Sequence, residues 1–235
     1  METTFHGQTA VGEIVTKFPK SADLFKKYKI DFCCGGDQKL IKAVENKNVE
    51  LDDLLNTLNK SYEEMIIAKE TVQDWTSFSY TDLINHIINT HHRYLNEELP
   101  QLSPYVTKVL RVHGADQKHL VKVHSLFHQL KTELEQHTIK EENEVFPLIL
   151  GFEKDPSEEK LKTLQKAIIE LEDEHDGAGN FIKELREITN DFTPPADACG
   201  TYRLVYQRLE ALESDIFQHV HLENNILFPR ILNHK

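Results

Sequence analysis

Residues 137–147 read HTIKEENEVFP, and residues 219–229 read HVHLENNILFP. In both stretches a His is followed four residues later by a Glu, and six residues after that by a Pro that Phe precedes. Positions i and i+4 of an α-helix lie one turn apart on the same face. His137 with Glu141, and His219 with Glu223, therefore each aim an imidazole and a carboxylate at one place. A single pair of this kind is ordinarily a solvated surface contact that stabilises a helix by about 0.2–0.5 kcal/mol. Two copies that also share the Phe-Pro at the same offset form an internal repeat of a metal half-site. Facing each other in a helical bundle, they make a dinuclear centre whose nitrogen and oxygen donors suit iron or manganese better than zinc.

The punctuation of the chain supports this arrangement. Gly114, the Asp155-Pro156 pair and the Pro194-Pro195 pair divide a region without strand-like alternation into four helical arms. From His92 to Gly114 is 22 residues, and from Gly114 to His137 is 23. His137 to Pro156 and Pro156 to His175 are 19 each, and the last two stretches, His175 to Pro195 and Pro195 to His219, are 20 and 24. Four antiparallel arms folding up and down at these turns bring their His residues to nearly one level. His175 is the candidate on the third arm, which holds no other His. On the first arm His86, His91 and His92 compete, and periodicity leaves His91 and His92 close to equal. His124 and His128 on the second arm precede His137 by 13 and 9 residues, which turns them to the far side of that helix, toward solvent. Pro100 and Pro104 predict a kink or a restart within the first arm.

The 235 residues allow one large or two modest domains. A formal net charge of −12 argues against nucleic acid or an anionic membrane surface as partner. No run approaches a membrane span, and the stretch METTFHGQTAVGE lacks a basic region followed by an apolar one, so a cytoplasmic protein is expected. Three cysteines, two of them adjacent, make no disulfide framework. Residues 1–75 read as a small helical domain plus linker. Val11, Ile14, Val15 and Phe18 mark one short helix, Ala22, Leu24, Phe25 and Tyr28 a second, and Leu40, Ile41 and Val44 a third; Leu51, Leu54, Leu55 and Leu58 mark a fourth. Residues 76–235 form the four-helix unit.

The motifs DFCCGG, NHII, HxxxEExxxFP, EHDxAG, PPxxACGT and HxxLENNILFP occur in order over essentially the whole chain. Together they resemble the Repair of Iron Centres family, di-iron proteins of the ScdA and YtfE types. The resemblance implies an all-α fold, a hemerythrin-like up-down four-helix bundle preceded by a small ScdA-type helical domain with paired cysteines. It implies two non-haem irons, oxo- and carboxylate-bridged, on His92, His137, Glu141, His175, His219 and Glu223. Counting back from Pro100, the family's histidine falls on His92, although His91 stands where relatives often have Tyr. It further implies repair of iron-sulfur clusters damaged by nitrosative or oxidative stress, with the damaged iron-sulfur proteins as partners. Four imidazoles, two bridging carboxylates and one bridging oxygen fill about five positions on each iron. This is one His fewer than hemerythrin uses, which leaves the irons more open and easier to release. Carboxylates such as Glu142 or Glu174 are expected behind the outer imidazole nitrogens.

Cys33 and Cys34 are the other chemical feature. Cα atoms 3.80 Å apart across one peptide are too close for a relaxed disulfide, so an oxidised pair is readily reduced. With Asp37 capping a helix from Gln38, the thiols stand near a helix amino terminus that favours thiolate, as expected of a redox or transfer dithiol. Cys199, behind two prolines, reads as structural. Labile iron supplied by the bundle, with the dithiol passing iron, electrons or nitrosyl groups, is the expected mechanism. A sensor or carrier of oxygen or nitric oxide, and a di-iron nitric oxide or peroxide reductase, are the alternatives; the dithiol disfavours a plain carrier. The residues do not divide iron donation from catalytic turnover.

Overall fold

In a computed structural model, which describes residues 4–70 and 72–234, the chain is helical throughout, and no strand forms among the described residues. Among the described residues no helix is long and apolar enough to cross a membrane. The helices are α1 (Val11–Lys17), α2 (Ser21–Lys27), α3 (Leu40–Ala43), α4 (Leu51–Ile67), α5 (Tyr80–Ile87), α6 (Arg93–His113), α7 (Leu120–Lys140), α8 (Phe146–Lys154), α9 (Glu158–Ile188), α10 (Gly200–Leu222) and α11 (Phe228–Leu232). By contacts the chain divides into Tyr80–His219 and a second unit made of Met1–Ser79 with Val220–Lys235.

Within Tyr80–His219, the arms are continuous rods. α7 packs on both α6 and α9, and α10 is tied to α6 by Arg208 on Glu98 at 2.6 Å and to α9 by Arg186 on Glu213. The core stripe of α9 shows how the site is embedded. Leu164, Ile168, Leu171, His175, Ala178, Ile182 and Leu185 are all buried at alternating steps of four and three residues. This is the seam of a helix packed in a bundle, with His175 standing where an aliphatic residue would otherwise stand. Glu153 on α8 caps α5, accepting from the Tyr80 and Thr81 amides at 2.7 and 3.2 Å, where a carboxylate satisfies otherwise unpaired donors. Of the kink or restart expected in the first arm, the restart does not occur: α6 carries Pro100 and Pro104 in its interior. Both prolines are exposed, so the carbonyls they leave without a helical donor are hydrated.

Among the described residues three π-helical turns interrupt the rods: Ile88–His92, Glu141–Val145 and Glu223–Leu227. The second and third each end directly before a Phe-Pro. Pro147 and Pro229 have no amide hydrogen, and each ring crowds the carbonyl four residues back, on Asn143 and Asn225. A wider turn accommodates both demands. The shared Phe-Pro of the repeat is thus the local cause of the widened turn that begins at each Glu.

Glu213 is a buried carboxylate, 2% exposed, held by the Arg186 guanidinium with one bond at 2.7 Å. Arg186→Ala leaves that charge without its cation and is expected to destabilise the protein by about 3–5 kcal/mol. Urea unfolding of the metal-free protein measures this, and a loss under about 1 kcal/mol, the size typical of an exposed pair, would show that water screens the pair.

In the other unit, α1, α2 and α4 bury Phe5, Val11, Ile14, Phe18, Phe25, Leu54 and Leu58, and the Tyr62 ring meets Phe5 and Phe18 edge-on at 5.1 and 5.7 Å. α4 continues through Met65 to Ile67. The end of the last rod belongs to this unit. Asn225 donates from Nδ2 to the carbonyls of Phe32 and Cys33 at 3.2 and 3.0 Å. A Cβ on Gly12 or Gly36 would collide with its side-chain oxygen. Those two glycines are needed for the close approach itself, in which the Gly12 amide donates to the Gly36 carbonyl at 2.7 Å.

Candidate metal centre

Each of the four rods contributes buried polar side chains at one level. The ligand atoms of His92, Glu141, His219 and Glu223 all lie within 4.8 Å of one another, and so do those of His137, Glu141, His175 and Glu223. The two groups share both carboxylates. All six side chains are buried, and Glu141 and Glu223 are 0% exposed. Glu223 follows His219 by one turn of the same continuous rod, as Glu141 follows His137.

Hydrogen bonding sets the inward face of the imidazoles. His92 Nδ1 lies 2.8 Å from Glu142 Oε1, and His137 Nδ1 lies 2.7 Å from Glu174 Oε2. A carboxylate accepts, so these Nδ1 atoms carry the hydrogen and the Nε2 lone pairs point inward. Hydrogen bonding to His137, aided by Lys140 at 2.6 Å, holds the Glu174 carboxyl down at about 2. Inside, His92 Nε2 is 3.2 Å from His219 Nε2, and His137 Nε2 is 3.0 Å from His175 Nε2. Glu141 Oε2 is 3.2 Å from Nε2 of both His92 and His137. Nitrogens that share a metal ion with bonds of about 2.0–2.1 Å stand roughly this far apart. Buried carboxylates and inward lone pairs are costly together unless cations are present. The donor set therefore fits bound metal.

The two candidates on the first arm take different positions. His92 joins the cluster, while His91 turns to Asp215, with Nδ1 2.9 Å from Oδ1, and stacks on the His219 ring at 5.5 Å. Asp215 was not visible as a partner in sequence, because nothing near it in the chain marks it. Glu142 and Glu174, between which the sequence did not choose, both take that position, Glu142 behind His92 and Glu174 behind His137.

The cysteine loop differs from expectation in its carboxylate. α3 begins at Leu40 and Asp37 does not cap it. Asp31 organises the loop instead, its Oδ1 accepting from the amides of Cys33, Cys34 and Gly35 at 3.2, 3.0 and 3.1 Å. The two sulfurs are 3.9 Å apart. The Cys34 thiol, burial and the Asp31 charge together push the Cys33 thiol well up, so it is not the thiolate that a helix start would favour. Asp31, Cys33 and Cys34 place three ligand atoms within 4.8 Å of one another. Cys199 is exposed, with its sulfur 3.2 Å from His113 Nε2, and the Tyr202 amide, then His113, lower its thiol.

Two family models match the chain: ScdA_N, a domain of unknown function, over residues 7–62, and the hemerythrin HHE cation binding domain over residues 83–231. The chain is 35% identical over 222 residues to the iron-sulfur cluster repair protein ScdA of Staphylococcus epidermidis, covering 94% of this chain and 96% of that protein. It is 37% identical over 229 residues to the iron-sulfur cluster repair protein YtfE of Escherichia coli O81, covering 94% and 96%. A probable iron-sulfur cluster repair protein of Haemophilus influenzae is 35% identical over 229 residues, covering 97% and 98%. With a cation-binding bundle model over its helical rods and near full-length likeness to these relatives, the chain belongs to the ScdA and YtfE family of iron-sulfur cluster repair proteins.

Proposed function

We propose that His92, His137, His175 and His219, with Glu141 and Glu223 shared between them, hold two iron ions bridged by the carboxylates and an oxo or hydroxo group. The observation that carries this reading is that two four-residue groups share the same two buried carboxylates. The irons are cargo in this reading: the chain supplies labile iron to clusters broken by nitrosative or oxidative stress in cytoplasmic iron-sulfur proteins. The chain's own residues keep the store exchangeable. Glu142 and Glu174 orient two imidazoles from positions that are more than a third exposed, so the outer side of the site communicates with water. The Cys33-Cys34 loop, organised by Asp31, receives or hands on what leaves the bundle. Nitric oxide, oxygen and peroxide are the small molecules that an open position on each iron would admit.

Incubating protein loaded with labelled iron with a damaged cluster enzyme tests the proposal. Label appearing in the rebuilt cluster supports donation. Recovery of the enzyme without label, or consumption of nitric oxide or peroxide over many turnovers without iron loss, would favour the reductase reading. Glu174→Gln is expected to weaken iron retention by about 10–100-fold, the range for partners that orient a ligating His. Competition with a chelator measures it, and unchanged retention would show that His137 does not depend on Glu174.

A further inference from the structure

α7 carries a second pair of imidazoles outside the bundle core. His124 and His128 stand one turn apart on a half-buried flank of the helix, with ring centroids 4.3 Å apart and planes inclined at 57°. Both turn Nε2 to the same atom, Thr107 Oγ1 on α6, at 3.2 Å from His124 and 3.5 Å from His128. A hydroxyl has one hydrogen and can donate to only one of them at a time. Two ring nitrogens and a hydroxyl oxygen therefore converge on one point. Thr107 is exposed, which leaves the point open to solvent. Lys131 is the neighbouring cation, and its ammonium is engaged by Glu135 at 2.6 and 2.7 Å.

We propose that His124 and His128, with Thr107 beside them, chelate a late first-row divalent cation such as Cu²⁺ or Zn²⁺ in a second, surface metal site. Imidazoles one turn apart on a helix bind through one face, and donors without a carboxylate select Cu²⁺, Ni²⁺ or Zn²⁺ over Mg²⁺ or Ca²⁺. His128 precedes His137 by nine residues, about 14 Å along the helix axis at 1.5 Å per residue, so the two sites do not share a ligand. The surface site differs from the buried one in donor chemistry as well as place, because the buried site contributes two carboxylates.

Titration of the iron-loaded full chain with Cu²⁺, read by calorimetry and by nitrogen hyperfine structure in its magnetic resonance spectrum, tests the assignment. The wild-type protein is expected to bind one Cu²⁺ through two nitrogens without losing iron. His124→Gln and His128→Gln, which preserve side-chain bulk, are each expected to weaken that binding about tenfold or more, since a two-point chelate becomes a single contact. Their iron content should equal that of the wild type, which also reports an intact bundle. Wild-type affinity in the double Gln variant would overturn the proposal, as would a spectrum with fewer than two nitrogens. Release of iron in step with Cu²⁺ uptake would also overturn it, because the ion would then be entering the buried site.

Discussion

Glu141→Leu is expected to empty both metal positions at once. The Glu141 carboxylate belongs to both ligand groups, so its loss removes a donor from each ion, whereas loss of His175 removes one donor from one ion. The weakening should exceed the roughly 10–100-fold typical of changes to the outer partners of ligating His residues. The same substitution should leave the metal-free protein as stable as before or more so, by up to about 1–4 kcal/mol, because a fully buried carboxylate gives way to an apolar side chain of similar volume. The signature is therefore a metal-free protein that unfolds at equal or higher temperature, together with loss of the upward shift that iron produces in the wild type. Glu223→Leu should behave alike. His128→Leu, on the outer flank of the same helix, should keep its full iron content. Equal iron loss from that control would sink the assignment.

Replacing both Cys33 and Cys34 by Ser is the second change with a large expected effect, and the effect is on repair rather than on iron. The six proposed ligands include no sulfur, and about five positions on each ion are already filled. The amount and spectrum of bound iron should be those of the wild type, while cluster repair in cells falls steeply. Asp31 still accepts from the three loop amides when the sulfurs are gone, so the loop keeps its frame and the comparison isolates the thiols. Full repair by the Ser-Ser variant would make the cysteines structural. A shifted iron spectrum would show that a thiolate reaches the metal and that the ligand set is incomplete.

The helical arms and the two His–Glu pairs were legible because both rest on spacing, whereas His92 was preferred to His91 only through the family resemblance. A His and a Glu four residues apart share a helical face wherever the helix lies. Gly114 and the proline pairs mark the turns that bring four such faces to one level. What was not legible is partly local and partly a matter of contacts distant in sequence. Asp31, rather than Asp37, frames the cysteine loop from two to four residues away, and the helix expected at Gln38 starts later, at Leu40. The partner of His91 is Asp215, 124 residues away. The widened turns had a local signal, Phe-Pro behind each Glu, but the turn at Ile88–His92 has no proline directly after it and no such signal. Asn225 lies in the repeat, yet only the fold shows that it holds the carbonyls of Phe32 and Cys33. Of the kink or restart expected at Pro100 and Pro104, the restart is absent, since a proline on the wet side of a helix leaves carbonyls that water can satisfy.

The most direct test of the metal centre is to load the full chain with iron-57 and measure metal content and the Mössbauer spectrum together, for the wild type and for Glu141→Leu. About two irons per wild-type chain are expected, with one imidazole pair and both shared carboxylates at each ion, as two spectroscopically coupled high-spin sites. Both should disappear together in the variant. A single iron per chain, two uncoupled sites, or a Glu141→Leu protein that retains one intact iron would contradict this assignment.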